Sequence, residues 1–121
     1  MKQGFFLLVV ALLGSSACYH LARRHAEAAA PPVYAERCST CHGERGLGDG
    51  LAGVSLDPRP RNFGDPAWQH SISDDRIRLT IHAGGAAVGR SPMMPAQPDL
   101  GAKELDALVA YIREVGSRSG K

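Results

Sequence analysis

Cys38-Ser39-Thr40-Cys41-His42 is the stretch of this chain whose residue types and spacing could do chemistry. Two thiols three residues apart lie on one face of a helical turn, and an imidazole follows the second directly. A dithiol redox centre uses the same C-x-x-C spacing but normally sits in an alternating strand and helix pattern, and no alternating apolar strand stands out here. Structural zinc wants four ligands, and no second cysteine pair completes such a set. A disulfide across three residues would close a tiny loop and stabilise little. The remaining chemistry uses all three side chains. Both thiols form thioethers with the two vinyl groups along one side of a porphyrin, and the imidazole, kept at high local concentration by those links, ligates the iron. The motif therefore points to one covalently attached haem c at Cys38 and Cys41, with His42 on its iron.

The elements that must hold this turn can be read from its flanks. Pro31 and Pro32 suit a helix start and not its interior, so a first helix is expected over residues 33–41, with Gly43 directly after His42. Residues 44–62 carry Gly46, Gly48, Gly50, Gly53, Pro58 and Pro60 and read as a loop. Gly46-Leu47-Gly48-Asp49-Gly50 is no nucleotide loop, because no strand precedes it and no fitting helix follows. Ser73 is placed as an N-cap with Asp74 and Asp75 in the first turn, and Ile72 and Ile77 as a hydrophobic staple. That helix is expected to run to about Ala83 and stop at Gly84-Gly85, leaving His82 as a surface cation near its end. In the last segment Leu105, Leu108, Val109, Ile112 and Val115 repeat at helical spacing. Gly101 would cap the start of this helix, Leu100 and Leu105 would staple it, and Gly116 would end it.

Tyr34-Ala35-Glu36-Arg37-Cys38-Ser39-Thr40-Cys41-His42-Gly43 resembles the opening of a class I, single-haem bacterial cytochrome c, and Met94-Pro95 ahead of the amphipathic last helix matches the family's downstream pattern. The resemblance spans roughly residues 33–115. It implies an all-α cytochrome c fold, about three to four helices wrapped around the haem with long Gly/Pro-rich loops, in which the last helix crosses the first and brings Tyr111 near residues 33–37. It also implies a methionine as second axial ligand. Met94 is preferred over Met93, since Pro95 restricts the residue before it to extended conformations and stiffens the loop. A ligating histidine donates its other ring nitrogen to an acceptor, which in this family is a loop carbonyl. The stretch with Leu56, Pro58 and Pro60 is the right one, but the usual Gly-Pro pattern is absent and the acceptor stays unassigned. Leu56 and Phe63 read as apolar wall against the porphyrin. Arg59, Arg61, Asn62 and Trp68 are either donors to the haem propionates or exposed loop residues beside a packed Trp.

Composition agrees with a small domain that needs a bound group. The 121 residues allow one domain, and from Pro32 onward the aromatics are Tyr34, Phe63, Trp68 and Tyr111, a thin core for a chain with 14 Gly and 8 Pro. Eleven Lys and Arg balance eleven Asp and Glu over the same stretch, which excludes the basic face of a nucleic-acid binder. No Ser-His-Asp set, paired carboxylates or phosphate loop points to an enzyme. A His/Met-ligated iron has no open position for a small-molecule substrate, so the expected function is electron shuttling between redox proteins. The alternative is a haem-based sensor or peroxidase-like enzyme with a labile distal Met.

The N-terminal end predicts export. Met1-Lys2-Gln3 gives a short positive region, residues 5–13 an apolar run shorter than a membrane span, and Gly14-Ser15-Ser16-Ala17 a small-residue stretch. Cys18 is the odd cysteine of three and stands where cleavage is expected. The stretch before it resembles a bacterial lipoprotein signal, with Ser15 in place of the usual Leu, so Cys18 is expected to carry lipid; plain cleavage after Ala17 and an uncleaved anchor are the other readings. The expected organisation is a signal peptide at 1–17, a tether at 18–32, the haem domain at 33–118 and a tail at 119–121. That puts the domain on the periplasmic side of a bacterial membrane, lipid-anchored.

Overall fold

Proline fixes where the first helix begins: Pro32 occupies its first turn, where the missing N–H costs nothing, behind an extended Pro31. In the computed structural model, which describes residues 29–119, five helices follow in order: α1 (Pro32–Arg37), α2 (Ser39–His42), α3 (Pro66–Ser71), α4 (Asp74–Ala87) and α5 (Ala102–Ser119). No strand occurs among the described residues. The all-α class thus holds, while the single first helix expected over 33–41 is divided. Cys38 swings to φ −116°, although its N–H still reaches Tyr34 O (2.9 Å) and the His42 N–H reaches Cys38 O (2.9 Å). The leader, Cys18 and the tether as far as residue 28 lie outside the described residues. Within them no helix is long and apolar enough to cross a membrane.

The capping signals act as their residue types dictate. Ser73 Oγ accepts the Arg76 N–H at 3.2 Å, with Asp74 and Asp75 in the positive first turn of α4. At the start of α5 the Glu104 carboxylate reaches back to the Gly101 N–H (3.0 Å), and Leu100 and Leu105 both pack on the core. Two expected stops differ. Gly84 does break α4, at φ 82° and ψ 167°, but one more turn resumes and carries the helix to Ala87. Gly116 does not end α5, which continues to Ser119; here the absent side chain lets the helix backbone lie against Gln69.

The core forms where α5 crosses the chain. Leu108, Val109, Tyr111, Ile112 and Val115 are buried on one face of α5, against Ile77 and Ile81 of α4 and Val33 and Tyr34 of α1. Tyr34 is 1% exposed, its ring centroid 4.6 Å from that of Tyr111. Arg113 fastens three helices at once, through Asp74 (2.8 Å), the Gln69 carbonyl (2.8 Å) and the Ile72 carbonyl (2.6 Å).

Candidate haem site

Helix α2 is barely one turn, so tertiary bonds must hold the C-x-x-C-H segment in place. The Tyr34 hydroxyl donates to Gly43 O at 2.7 Å and the Tyr111 hydroxyl to Glu44 O at 3.0 Å, fixing the chain just past His42. Gly43 itself sits at φ 83° and ψ 155°, a region essentially reserved for glycine, and a Cβ there would collide with the Asp49 carboxylate. Behind the turn, the Gly48 N–H donates to His42 O (2.8 Å) and the Ala52 N–H to Thr40 O (3.0 Å). The glycine-rich loop therefore lies directly against the motif's backbone.

His42 Nδ1 is 3.2 Å from the carbonyl of Arg61, which supplies the acceptor that sequence could not assign. A carbonyl only accepts, so Nδ1 carries the proton and Nε2 keeps its lone pair. Burial lowers the His42 pKa, against the pull of the Arg61 carbonyl, and keeps the imidazole neutral, the form that binds a metal. Phe63 stacks on the ring at 4.7 Å and 17° and limits its rotation. The placement of Arg61 O follows from the loop: the Phe63 N–H donates to Gly46 O (2.8 Å), so residues 61–63 run beside Gly46 and Gly48.

Cys38 and Cys41 are free thiols, each half-buried. Burial pushes Cys38 up to about 11, against the opposing pull of Arg37. Cys38, Trp68 and Met94 all pack against the apolar cluster that contains Phe63, so one cysteine, one candidate wall residue and the preferred methionine border a common core. Met94 is half-buried, whereas Met93 is 60% exposed.

The remaining candidates divide. Phe63 is buried and Trp68 half-buried, 5.6 Å apart, forming a wall on the His42 side. The Arg61 guanidinium lies 5.8 Å over the Trp68 ring and 4.0 Å from Asp65, so the backbone of Arg61 meets the imidazole while its side chain faces Trp68. Asn62 Oδ1 is engaged by the Gly64 N–H (2.8 Å). Arg59 is exposed, and Leu56 is half-buried in the loop. Sequence reading also missed the two tyrosine hydroxyls, for which position is the available signal, Tyr34 standing one helical turn before Cys38. His82 is exposed, as expected.

A neutral imidazole with one nitrogen anchored and the other unengaged, two unpaired thiols one turn apart, and a half-buried thioether beside an apolar wall make a donor set that fits a covalently bound haem. The fold and this set define a haem-binding electron-transfer domain. The chain belongs to the cytochrome c family: the sequence model of that family, described as cytochrome c, matches residues 28–116. No curated protein and no solved structure gave a match. Membership establishes covalently attached haem c with its iron, haem-based electron transfer and redox-protein partners in general.

Proposed function

We propose that this protein is a single-electron carrier on the periplasmic side of a bacterial membrane, with Cys38 and Cys41 as the thioether positions, His42 and Met94 as axial ligands, and Cys18 as a lipid anchor. One observation carries the ligation reading: the His42 ring is held neutral, with Nδ1 on the Arg61 carbonyl and Nε2 unengaged, stacked on Phe63. When bound, the haem supplies the Fe(III)/Fe(II) couple, whose potential a thioether ligand raises relative to two histidines. His42 and Phe63 keep one side of the site rigid, so little nuclear rearrangement accompanies electron transfer. Met94, half-buried beside the core, is the methionine suited to the second position, and Met93 faces outward. His42 and Met94 together would leave the bound iron no open position for a small-molecule substrate, which fits a carrier whose partners are other redox proteins.

The test is the near-infrared sulfur-to-iron band of the ferric protein. Met94→Ala should abolish it, lower the potential and open the iron to CO, while Met93→Ala should leave all three nearly intact. The reverse pattern would reassign the ligand. A high-spin ferric wild type with rapid CO or peroxide reactivity would replace the carrier by a sensor or peroxidase-like enzyme.

A further inference from the structure

The kink in α4 and the methionine loop exchange backbone partners. In an unbroken helix the Gly85 N–H would bond the Ile81 carbonyl. Here it donates instead to Met94 O at 2.9 Å, and the Gln97 N–H is shared between the Ile81 carbonyl (3.1 Å) and the His82 carbonyl (3.2 Å). The Gly85 N–H and the Ile81 and His82 carbonyls beside the kink are thus bonded by the loop, at positions that bracket Met94-Pro95-Ala96. Gly84 makes this possible at φ 82° and ψ 167°, a conformation essentially closed to residues with a side chain.

Contact is as close as the hydrogen bonds require. A Cβ on Gly84 would stand 2.8 Å from the Ala96 nitrogen and 3.2 Å from Met94 O. On Gly85 it would collide with Ser91 O and come 3.2 Å from the Met94 Cβ. The Arg90 N–H donates to Gly85 O (2.8 Å), closing the loop on its other side. The backbone on both sides of Met94 therefore rests on two glycines.

We propose that Gly84 and Gly85 are positioning residues for the Met94 sulfur, a clamp that acts through the Met94 carbonyl rather than by touching the haem; this rests on the assignment of Met94 as ligand. A clamp that favours the sulfur-bound state lowers the fraction of iron open to a competing ligand, and the apparent affinity of that competitor scales with the open fraction. Imidazole binding to the ferric holoprotein reads this directly. Gly84→Ala should raise imidazole affinity about tenfold or more and weaken the sulfur-to-iron band. Gly89→Ala is the control: Gly89 has φ 72° but no atom within 4 Å of its would-be Cβ, so it adds backbone strain without contact and should move neither readout.

Unchanged imidazole affinity and band in Gly84→Ala, or equal shifts in Gly89→Ala, would overturn the proposal. Should Met94→Ala keep the band, the ligand assignment itself fails. Should Met94→Ala lose it while Gly84→Ala keeps it, the assignment stands and the clamp falls. If Gly84→Ala yields no folded holoprotein, reciprocity decides the matter, because a clamp that favours sulfur on iron is itself favoured by sulfur on iron. Amide exchange at Gly85 and Gln97 should then be about tenfold or more faster in Met94→Ala than in wild type, and equal rates would refute the coupling.

Discussion

Gly116→Ala is a substitution for which two rules give opposite signs. Inside an exposed helix, replacing glycine by alanine gains about 1 kcal/mol. Gly116 lies within α5, in its last turn, but a Cβ there would stand 2.6 Å from Gln69 Nε2 and closer still to Cδ. That side chain cannot simply swing away. Its Nε2 donates to Phe63 O (2.7 Å) and Ile112 O (2.8 Å), and its Oε1 accepts from Arg113 (2.8 Å). Three hydrogen bonds at about 1 kcal/mol each, the charged one somewhat more, discounted because water reaches the half-buried amide, put the cost near 2–3 kcal/mol. The net effect is a loss of about 1–2 kcal/mol, which for a domain of this size lowers Tm by roughly 4–16 °C. Urea unfolding of the holoprotein measures it. A double-mutant cycle supplies the decisive readout: once Gln69→Ala has removed the obstruction, the same Gly116→Ala change should stabilise by up to about 1 kcal/mol, so the effect reverses sign. Stabilisation in the native background, or the same effect in both, would refute the packing argument.

Tyr34→Phe removes the hydroxyl bond to Gly43 O, but that carbonyl keeps the Gly46 N–H at 3.1 Å, so the expected loss is about 1 kcal/mol. The deficit should depend on pH. Burial, helped by the neighbouring Tyr111, holds the Tyr34 pKa well above its ordinary 10, so its contribution is full below pH 10 and falls at up to about 1.4 kcal/mol per unit above it. Wild type and Tyr34→Phe should therefore converge near pH 11, as urea unfolding across that range would show; a deficit constant with pH would contradict the assigned burial. Protein matured in a haem-attaching host should retain one haem through acid-acetone extraction, and Cys38→Ala with Cys41→Ala should release it. Cys18→Ser should free the protein from membranes with its haem spectrum unchanged, whereas a wholly soluble wild type with unmodified Cys18 would remove the anchor.

What sequence conveyed about the site follows the kind of atom involved. Thiols and imidazole are side-chain chemistry, so Cys38, Cys41 and His42 could be singled out from type and spacing, while Met94 was preferred on the family resemblance and the proline that follows it. The Ser73 cap and the apolar stripe of α5 were legible for the same reason. The acceptor for His42 was not. Every residue carries a carbonyl, and which one meets Nδ1 depends on the path the loop takes past Gly46 and Gly48. Glycine was the least legible residue, since a missing Cβ says only that space is needed nearby. Gly84 and Gly116 both read as helix terminators; one is a kink against the methionine loop and the other a seat for Gln69.

The distribution of aromatic residues explains how so thin a core can hold a ligand-bearing turn. All four aromatics beyond Pro32 serve the same few residues: Tyr34 and Tyr111 bind the carbonyls of Gly43 and Glu44, Phe63 stacks on His42, and Trp68 packs on Phe63. None of these bonds involves the haem, so the histidine side is organised by the polypeptide itself. On the methionine side the described contacts are mainly backbone hydrogen bonds to a kinked helix, with an exposed Arg37–Asp99 pair at 2.7 Å beyond them. Exposed pairs of this kind contribute about 0–1 kcal/mol, and loops opening to water lie at the low end of local stability. On the proposed His42/Met94 ligation, ligand exchange should therefore begin with Met94 leaving, and His42 should stay bound until the fold itself is lost.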